Sequence, residues 1–201
     1  MVLPKQIKNL ANALTKLPEI GPRAALRLVF FLLETEQNEI LDLSEAIKSL
    51  KTVKICPQCF NLSDNGLCIL CQDKKRDNRQ IMVIETILDI LPIERTKQYH
   101  GLYHILGGVL SPLDNIGPEK LKIKELITRI NNLKKENPSL PVEIIIAFNP
   151  TTEGDTTTLY LERQLKPLSI SITKLGRGLA TGSNLEYADE NTIAESLKSR
   201  K

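Results

Sequence analysis

The 201-residue chain has no tryptophan, 4% aromatic residues, four cysteines and two histidines. So few aromatic side chains argue against a platform on which single-stranded nucleic acid stacks its bases. The apolar run from Leu28 to Leu33 is flanked by Arg27 and Glu34, and it is far too short to span a bilayer. The first twenty residues lack the central apolar stretch of a secretory signal. We therefore expect a cytoplasmic protein without a membrane segment.

Charge is unevenly distributed along the chain, although the net charge is only +3. Within the first thirty residues the single acidic residue is Glu19, and the basic residues are Lys5, Lys8, Lys16, Arg23 and Arg27. A local excess of this kind is compatible with a surface that faces phosphates. An ordinary solvated helical face explains the same charges, so charge alone does not decide between the two interpretations.

The first 55 residues predict a small helical module. Apolar residues recur at helical spacing over residues 5–17 and again over residues 40–50. A further helix should begin at Pro22, because proline is tolerated in a first helical turn.

The pattern changes after the polar connection of residues 72–80. Short apolar or β-branched runs then alternate with helical stretches, which predicts a mostly parallel sheet covered by helices. The predicted strands are 81–85, 102–106, 142–148 and 168–173, and the predicted helices are 86–98, 123–136 and 155–165. The fold class is therefore a multi-module combination of α+β and α/β parts. The expected divisions are a helical module at 1–55, a cysteine segment at 56–71, an α/β domain at 79–175, and a glycine-rich segment with a C-terminal helix at 176–201.

All four cysteines fall in the segment CPQCFNLSDNGLCILC, as two CxxC pairs. Each pair can hold one side of a tetrahedral ion, and a turn at residues 64–66 can bring the pairs together. This spacing predicts one structural Zn²⁺ per chain, because four thiolates leave no open position for catalysis. Two disulfides are the competing interpretation, which a reducing compartment disfavours. The predicted ligands are Cys56, Cys59, Cys68 and Cys71.

The segment LPEIGPRAALRL, residues 17–28, resembles the helix-hairpin-helix motif, whose turn points backbone N–H groups at a DNA phosphate. Glycine usually stands on both sides of the central apolar residue of the motif, whereas Glu19 precedes Ile20 here. A carboxylate near a phosphate is unfavourable. The competing interpretation is a hairpin used for packing or for dimer formation. The predicted DNA-binding residues are Lys16, Gly21, Arg23 and Arg27.

Polar residues follow two of the predicted strands, namely Glu85 after the first and the loop AFNPTTEGD after the third. The carboxyl ends of neighbouring strands in a doubly wound sheet share one crevice. The arrangement resembles the Toprim domain of topoisomerases, primases and certain nucleases, in which a glutamate and an Asp-x-Asp pair serve acid/base chemistry and Mg²⁺. Asn149 and Thr151 stand where the two aspartates are expected, and neither supplies an anionic ligand. We therefore predict no catalytic residue.

The remaining acids of the loop, Glu153 and Asp155, suit the start of a helix, where carboxylates satisfy free N–H groups. Glu85 could cap the helix that follows it, or it could contact a partner. The residues that we assign to a crevice for a partner or a weakly held ion are Glu85, Asn149, Glu153 and Asp155.

The order of hairpin, four-cysteine finger, IMVIE strand, NPTTEGD loop and C-terminal helix resembles the RecR family of bacterial recombination mediators over essentially the whole chain. The resemblance implies a DNA-binding protein that acts with RecO and RecF to promote RecA loading at single-stranded gaps. It also implies a homo-oligomer, a dimer or a tetrameric ring that clamps DNA. An Asn-Pro-Thr loop is usual in this family.

Two other functions compete with a non-catalytic mediator. The first is a Mg²⁺-dependent Toprim nuclease or topoisomerase-like enzyme, although no tyrosine has a sequence context that selects it as a nucleophile. The second is a zinc-bearing protein-interaction module that never contacts DNA.

Overall fold

The computed structural model describes residues 3–136, 138 and 140–200, and the chain divides into two compact units, Met1–Val53 and Lys54–Lys201. The cysteine segment and the α/β region belong to the same unit. Among the described helices, none is both long and apolar enough to cross a membrane.

The first unit is helical. Its buried core is small and consists of Ala11, Ala25 and Val29, with partly buried neighbours such as Ile20 packed against it. Many of its large apolar side chains stay exposed, among them Phe31 at 66%. The helices are α1 (Lys5–Leu14), α2 (Pro22–Glu34) and α3 (Gln37–Ser49), and a 3-10 turn follows at Leu50–Thr52.

The second unit begins with the cysteine finger. An antiparallel ribbon of two very short strands is followed by a single helical turn. These elements are β1 (Lys54–Ile55), β2 (Leu62–Ser63) and α4 (Ile69–Gln72).

A four-stranded sheet forms the centre of the second unit. All of its strand pairs are parallel, and the strand order is β4-β3-β5-β6. This arrangement confirms the predicted fold class. The strands are β3 (Asp77–Ile84), β4 (Gly101–Ile105), β5 (Glu143–Ala147) and β6 (Ser171–Lys174). The helices are α5 (Ile90–Thr96), α6 (Ile123–Glu136), α7 (Thr152–Leu165) and the C-terminal α8 (Glu190–Lys198).

Both faces of the sheet are buried at its centre, which is why the second half of β3, β4 and β5 read as nearly continuous apolar runs, whereas the edge strand β6 is mostly exposed. On one face Val83 and Ile144 pack with residues of α6 and α7, such as Leu126 and Leu161. On the other face Met82 and Ile84 pack with Ile90 of α5 and with residues of the finger. Strand β4 lies beside one edge of β3, and the chain then crosses over to place β5 beside the opposite edge of β3. The strand order therefore reverses between β3 and β5. Ligand crevices of open α/β sheets lie at such reversals.

Several element boundaries differ from the predicted ones for local reasons. The region 86–98 starts as a 3-10 turn at Ile87–Asp89 and ends early, since Lys97 is left-handed with φ 55°. Strand β6 starts at Ser171 instead of 168, because a 3-10 turn occupies Lys166–Leu168 and its C-cap residue, Ser169, is left-handed with φ 50°. Helix α7 begins before residue 155 because Thr151 caps it.

Candidate functional site

The hairpin turn between α1 and α2 presents an open helix N-terminus. Gly21 is the N-cap residue of α2, and no side chain caps this end. A Cβ built on Gly21 meets nothing within 4 Å, and its φ of −80° suits any residue, so packing within the chain does not require glycine there. Glycine does let an external ligand approach the backbone closely.

The basic residues of the hairpin are exposed. Arg23 and Arg27 lie one helical turn apart on the side of α2 opposite the buried Ala25 and Val29, and Lys16 is exposed in the turn before α2. Positive charge therefore flanks the free N–H groups of this helix end, a combination that favours binding of anions.

Glu19 adopts a left-handed backbone conformation with φ 65°. This conformation is costly for a residue with a Cβ and free for glycine. This backbone conformation explains why the motif usually has glycine at this position.

The four cysteines converge in the finger. Their Sγ atoms all lie within 4.8 Å of one another, and the Sγ atoms of Cys59 and Cys68 are 3.4 Å apart. Three of the four thiols are buried. Within residues 3–136, 138 and 140–200, this is the one group of three or more potential ligand residues that could hold a metal ion.

The backbone around Cys56 favours the thiolate of this residue, whereas the pKa values of two other thiols are raised, that of Cys59 first by a hydrogen bond with Cys71 and that of Cys68 first by burial. Burial raises the pKa of the Cys56 thiol, but hydrogen bonds from backbone N–H groups, led by that of Cys68, outweigh burial and bring the pKa to about 7. Donors of this kind stabilise the deprotonated sulfur that a metal needs.

The finger is joined to the sheet by a backbone hydrogen bond and by a buried cation. The amide of Ile105, the last residue of β4, donates to the Cys59 carbonyl at 2.9 Å, so the finger covers this end of the outer edge of β4. Arg129 of α6 is 8% exposed, and one of its amino groups donates to the carbonyl of Tyr103 at 2.7 Å and to that of Gln58 at 3.4 Å. Burial lowers the pKa of Arg129, whereas the nearby cysteines, Cys71 first, act in the opposite direction.

The crevice at the carboxyl ends of β3 and β5 brings Glu85 and Asn149 together. One carboxylate oxygen of Glu85 accepts the backbone N–H of Asn149 at 2.6 Å, and the other accepts its side-chain amide at 3.0 Å. Asn149 thus donates to the carboxylate that a divalent ion would otherwise neutralise. Glu85 does not cap the next turn, because Thr86 and Asp89 form a capping box there.

The loop after β5 is shaped by helix capping. Thr151 accepts the N–H of Gly154 at 3.0 Å and so caps α7, while Glu153 and Asp155 lie in the first turn, where the helix dipole favours acids. Gly154 has to be glycine, since a Cβ there would collide with the Asn149 carbonyl oxygen.

Asp155 forms an ion pair with Arg177 in the segment after β6. The hydrogen bonds from Arg177 lower the pKa of the Asp155 carboxyl. Two acids of the predicted crevice therefore have different partners, since Glu85 binds Asn149 whereas Asp155 binds Arg177. Neither Arg177 nor Arg129 was selected from the sequence, since nothing local distinguishes them from other cations on helices and loops.

Three family models match the chain. A Toprim domain model covers residues 79–176, a model described as RecR, helix-hairpin-helix covers residues 7–51, and one described as RecR, C-terminal covers residues 178–201.

Relatives match over nearly the whole length. The recombination protein RecR of Myxococcus xanthus is 42% identical over 199 residues, which cover 98% of each chain. The protein of the same name from Carboxydothermus hydrogenoformans is 43% identical over 202 residues, covering 100% of this chain and 98% of the relative. That of Moorella thermoacetica is 43% identical over 201 residues, again covering 100% of this chain and 98% of the relative.

Proposed function

The chain belongs to the RecR family of recombination proteins, and from that premise we propose that it is a non-catalytic mediator of DNA repair and recombination. It binds DNA as an oligomeric clamp in the cytoplasm and acts with RecO and RecF to promote RecA loading at single-stranded gaps. The observation that carries this proposal is the similarity to recombination proteins over the entire chain. The proposed functional divisions are a helical module at 1–55, the cysteine finger at 56–71, a Toprim domain at 79–175, and a glycine-rich segment with a C-terminal helix at 176–201.

DNA contact is assigned to the hairpin, through Lys16, Gly21, Arg23 and Arg27. The uncapped start of α2, the free space above Gly21 and the exposed arginines support this assignment. Such contacts read phosphates and not base sequence.

Measuring DNA affinity against salt concentration tests the assignment. Replacing Arg23 and Arg27 together by alanine should weaken binding and reduce the slope of log affinity against log salt by about 1.4 to 1.8, since each phosphate contact contributes about 0.7 to 0.9. The matched control replaces Lys48 and Lys51, which lie outside the hairpin, and removes the same charge. An unchanged slope for the arginine variant would instead favour a hairpin used for packing alone.

The metal assigned to the finger is one Zn²⁺ held by Cys56, Cys59, Cys68 and Cys71. The donor set fits this ion, because tetrahedral zinc with Zn–S bonds of about 2.3 Å needs sulfur separations of about 3.8 Å, and the four sulfurs already lie within 4.8 Å. When bound, the ion supplies a structural cross-link. Elemental analysis of purified, reduced protein should find one zinc per chain, and its absence would refute the assignment.

The absence of catalysis is supported by the crevice, where hydrogen bonds from Asn149 occupy Glu85. Clean protein incubated with Mg²⁺ should leave single-stranded, duplex and supercoiled DNA intact. Cleavage or relaxation that disappears in the Glu85→Gln variant would establish the alternative, a Mg²⁺-dependent Toprim enzyme.

We assign a crevice for a partner such as RecO or for a weakly held ion to Glu85, Asn149, Glu153 and Asp155, which lie at the ends of β3 and β5 and at the start of α7. Measuring mass in solution with RecO, with DNA and with both tests the partner and the clamp together. The expected result is an oligomer that binds both RecO and DNA. A monomer that does not bind RecO would contradict the proposal.

A further inference from the structure

Arg129 is a buried cation that has no carboxylate partner among the residues that the structure describes. Its side chain is 8% exposed, and no ion pair involving it occurs within residues 3–136, 138 and 140–200. Its Nε atom and its second amino group are buried and have no hydrogen-bond partner there. Burying an unpaired charge costs several kcal/mol, so a compensating negative charge is expected beside it.

The guanidinium lies against the cysteine finger. The Gln58 carbonyl, which accepts one of its N–H groups at 3.4 Å, belongs to the loop between Cys56 and Cys59. The same amino group donates to the Tyr103 carbonyl of β4 at 2.7 Å. Two carbonyl oxygens thus hold one side of the guanidinium, and one of them belongs to the short loop whose ends are the cysteines of the first CxxC pair.

The charge of a filled metal centre matches this cation. Four thiolates around one divalent ion leave two negative charges in a site where three of the four sulfurs are buried. Such charge requires nearby compensation when water is excluded. Groups outside the coordination shell commonly change metal affinity by about 10- to 100-fold.

Resting on the zinc site assigned above, we propose that Arg129 is the counter-cation of the four-thiolate centre and that it couples metal binding by the finger to helix α6. It ligates nothing. It acts as a positioning residue that holds the loop between Cys56 and Cys59 and offsets the charge of the thiolates. The coupling is reciprocal, since the metal centre also compensates a charge that is otherwise unpaired in the interior.

Zinc release to a colorimetric chelator at neutral pH tests the proposal. We compare the wild type with Arg129→Met, which removes the charge, Arg129→Gln, which keeps hydrogen-bond donors for the two carbonyls, and Arg129→Lys, which keeps the charge. Arg129→Met and Arg129→Gln should each release zinc at least about tenfold faster than the wild type, and Arg129→Lys should fall between. Lys124→Met is the matched control, because it removes an exposed cation from the same helix and should release zinc at the wild-type rate.

A second measurement separates charge compensation from packing. Melting temperatures are recorded with zinc and after its removal under reducing conditions. Arg129→Met should lower the melting temperature of the zinc-loaded protein more than that of the metal-free protein, in which the cation has lost its counter-charge. If Arg129→Met does not fold, the comparison is made with Arg129→Gln.

Two results would overturn the proposal, and they are distinguishable. Wild-type release rates in the two uncharged variants, with equal destabilisation in both metal states, would reduce Arg129 to a packing residue while leaving the zinc site intact. Wild-type protein that contains no zinc would refute the metal assignment itself, and with it the role of Arg129.

Discussion

Glu19 shows how one residue bears on both stability and function. Its φ of 65° places it in the left-handed region, and its carboxylate lies in the turn before the free N-terminus of α2. The backbone conformation costs about 1 kcal/mol or more for a residue with a Cβ. The negative charge would oppose a phosphate at the proposed DNA contact.

Two variants of Glu19 separate these effects. Glu19→Gly should stabilise the protein by up to about 1 kcal/mol, because glycine adopts the left-handed conformation freely. The larger conformational entropy of glycine in the unfolded chain reduces this gain. Glu19→Gln removes the charge alone and should leave stability unchanged. Both should tighten DNA binding, most clearly at low salt. Denaturant unfolding and DNA titration check the two parts, and equal stability of the two variants would contradict the backbone explanation.

His104 is fully buried at the end of β4, where Phe60 packs edge-on against its ring. Its Nε2 atom donates to the Lys122 carbonyl at 2.8 Å, since a carbonyl oxygen can only accept. Burial lowers the pKa of His104 from 6.5 to about 4, and the charge of Arg129 acts in the same direction, while Glu125 opposes it. The ring is therefore neutral in the folded protein at neutral pH.

This histidine makes stability depend on pH. Between pH 6.5 and about 4 the unfolded chain binds a proton on His104 that the folded chain does not. The free energy of unfolding therefore falls as the pH is lowered through this window, by up to about 3 kcal/mol. Because metal binding by thiolates is itself pH-dependent, the measurement compares the wild type with His104→Gln under the same metal conditions. The variant should lose less stability between pH 6.5 and 5, and parallel curves would count against the assignment.

At the scale of the elements, the finger protects one end of the outer edge of the sheet. Strand β4 pairs with β3 on one side, and on the other its Ile105 amide donates to the Cys59 carbonyl. Unpaired strand edges promote aggregation. The finger also adds Phe60 and Leu70 to the apolar layer that includes Met82 and Ile84.

Removing the metal should therefore affect β4 as well as the finger. Chelation under reducing conditions is expected to unfold residues 56–71, and the Ile105 amide should then exchange with solvent at least about tenfold faster, because its acceptor is lost. Amides of β5, which pairs with β3 and β6, serve as the internal control and should change less. Hydrogen exchange with and without zinc measures both. Unchanged exchange at Ile105 would mean that the finger keeps its conformation without metal.

Elements and motifs were predictable from the sequence where the determining pattern is local. Apolar periodicity located α6 at its observed bounds, and the CxxC spacing selected the four cysteines that converge. Contacts between distant residues were not predictable. Arg129 meets Gln58 across 71 positions, and Arg177 meets Asp155 across 22, and neither arginine differs locally from the other cations of the chain.

At the scale of the whole molecule, the helical unit has a small core and a large exposed apolar surface. Its buried core consists of three small residues, whereas Phe31, Leu33 and Leu50 are each more than 60% exposed. Apolar surface of this extent usually marks an interface. It supports the proposed homo-oligomer, with the helical unit as one contact.

Replacing Phe31 by glutamate should therefore reduce the mass of the protein in solution. A buried charge in an apolar interface is unfavourable by several kcal/mol, and the helical unit should still fold because Phe31 lies outside its core. Phe31→Leu keeps the apolar surface and is the control. Light scattering over a range of concentrations makes the comparison, and an unaltered mass for Phe31→Glu would place the contact elsewhere.

The backbone hydrogen bond from Ile105 to Cys59 also bears on how the chain folds during its synthesis. The finger leaves the ribosome before β4, and β5, which pairs with the other side of β3, follows later still. A nascent chain that has already taken up metal can thus shield β4 as soon as that strand forms. The supply of metal during translation would then determine whether the edge of β4 is covered before β5 has been synthesised. Zinc starvation should therefore lower the amount of newly made protein before it lowers the amount of mature protein.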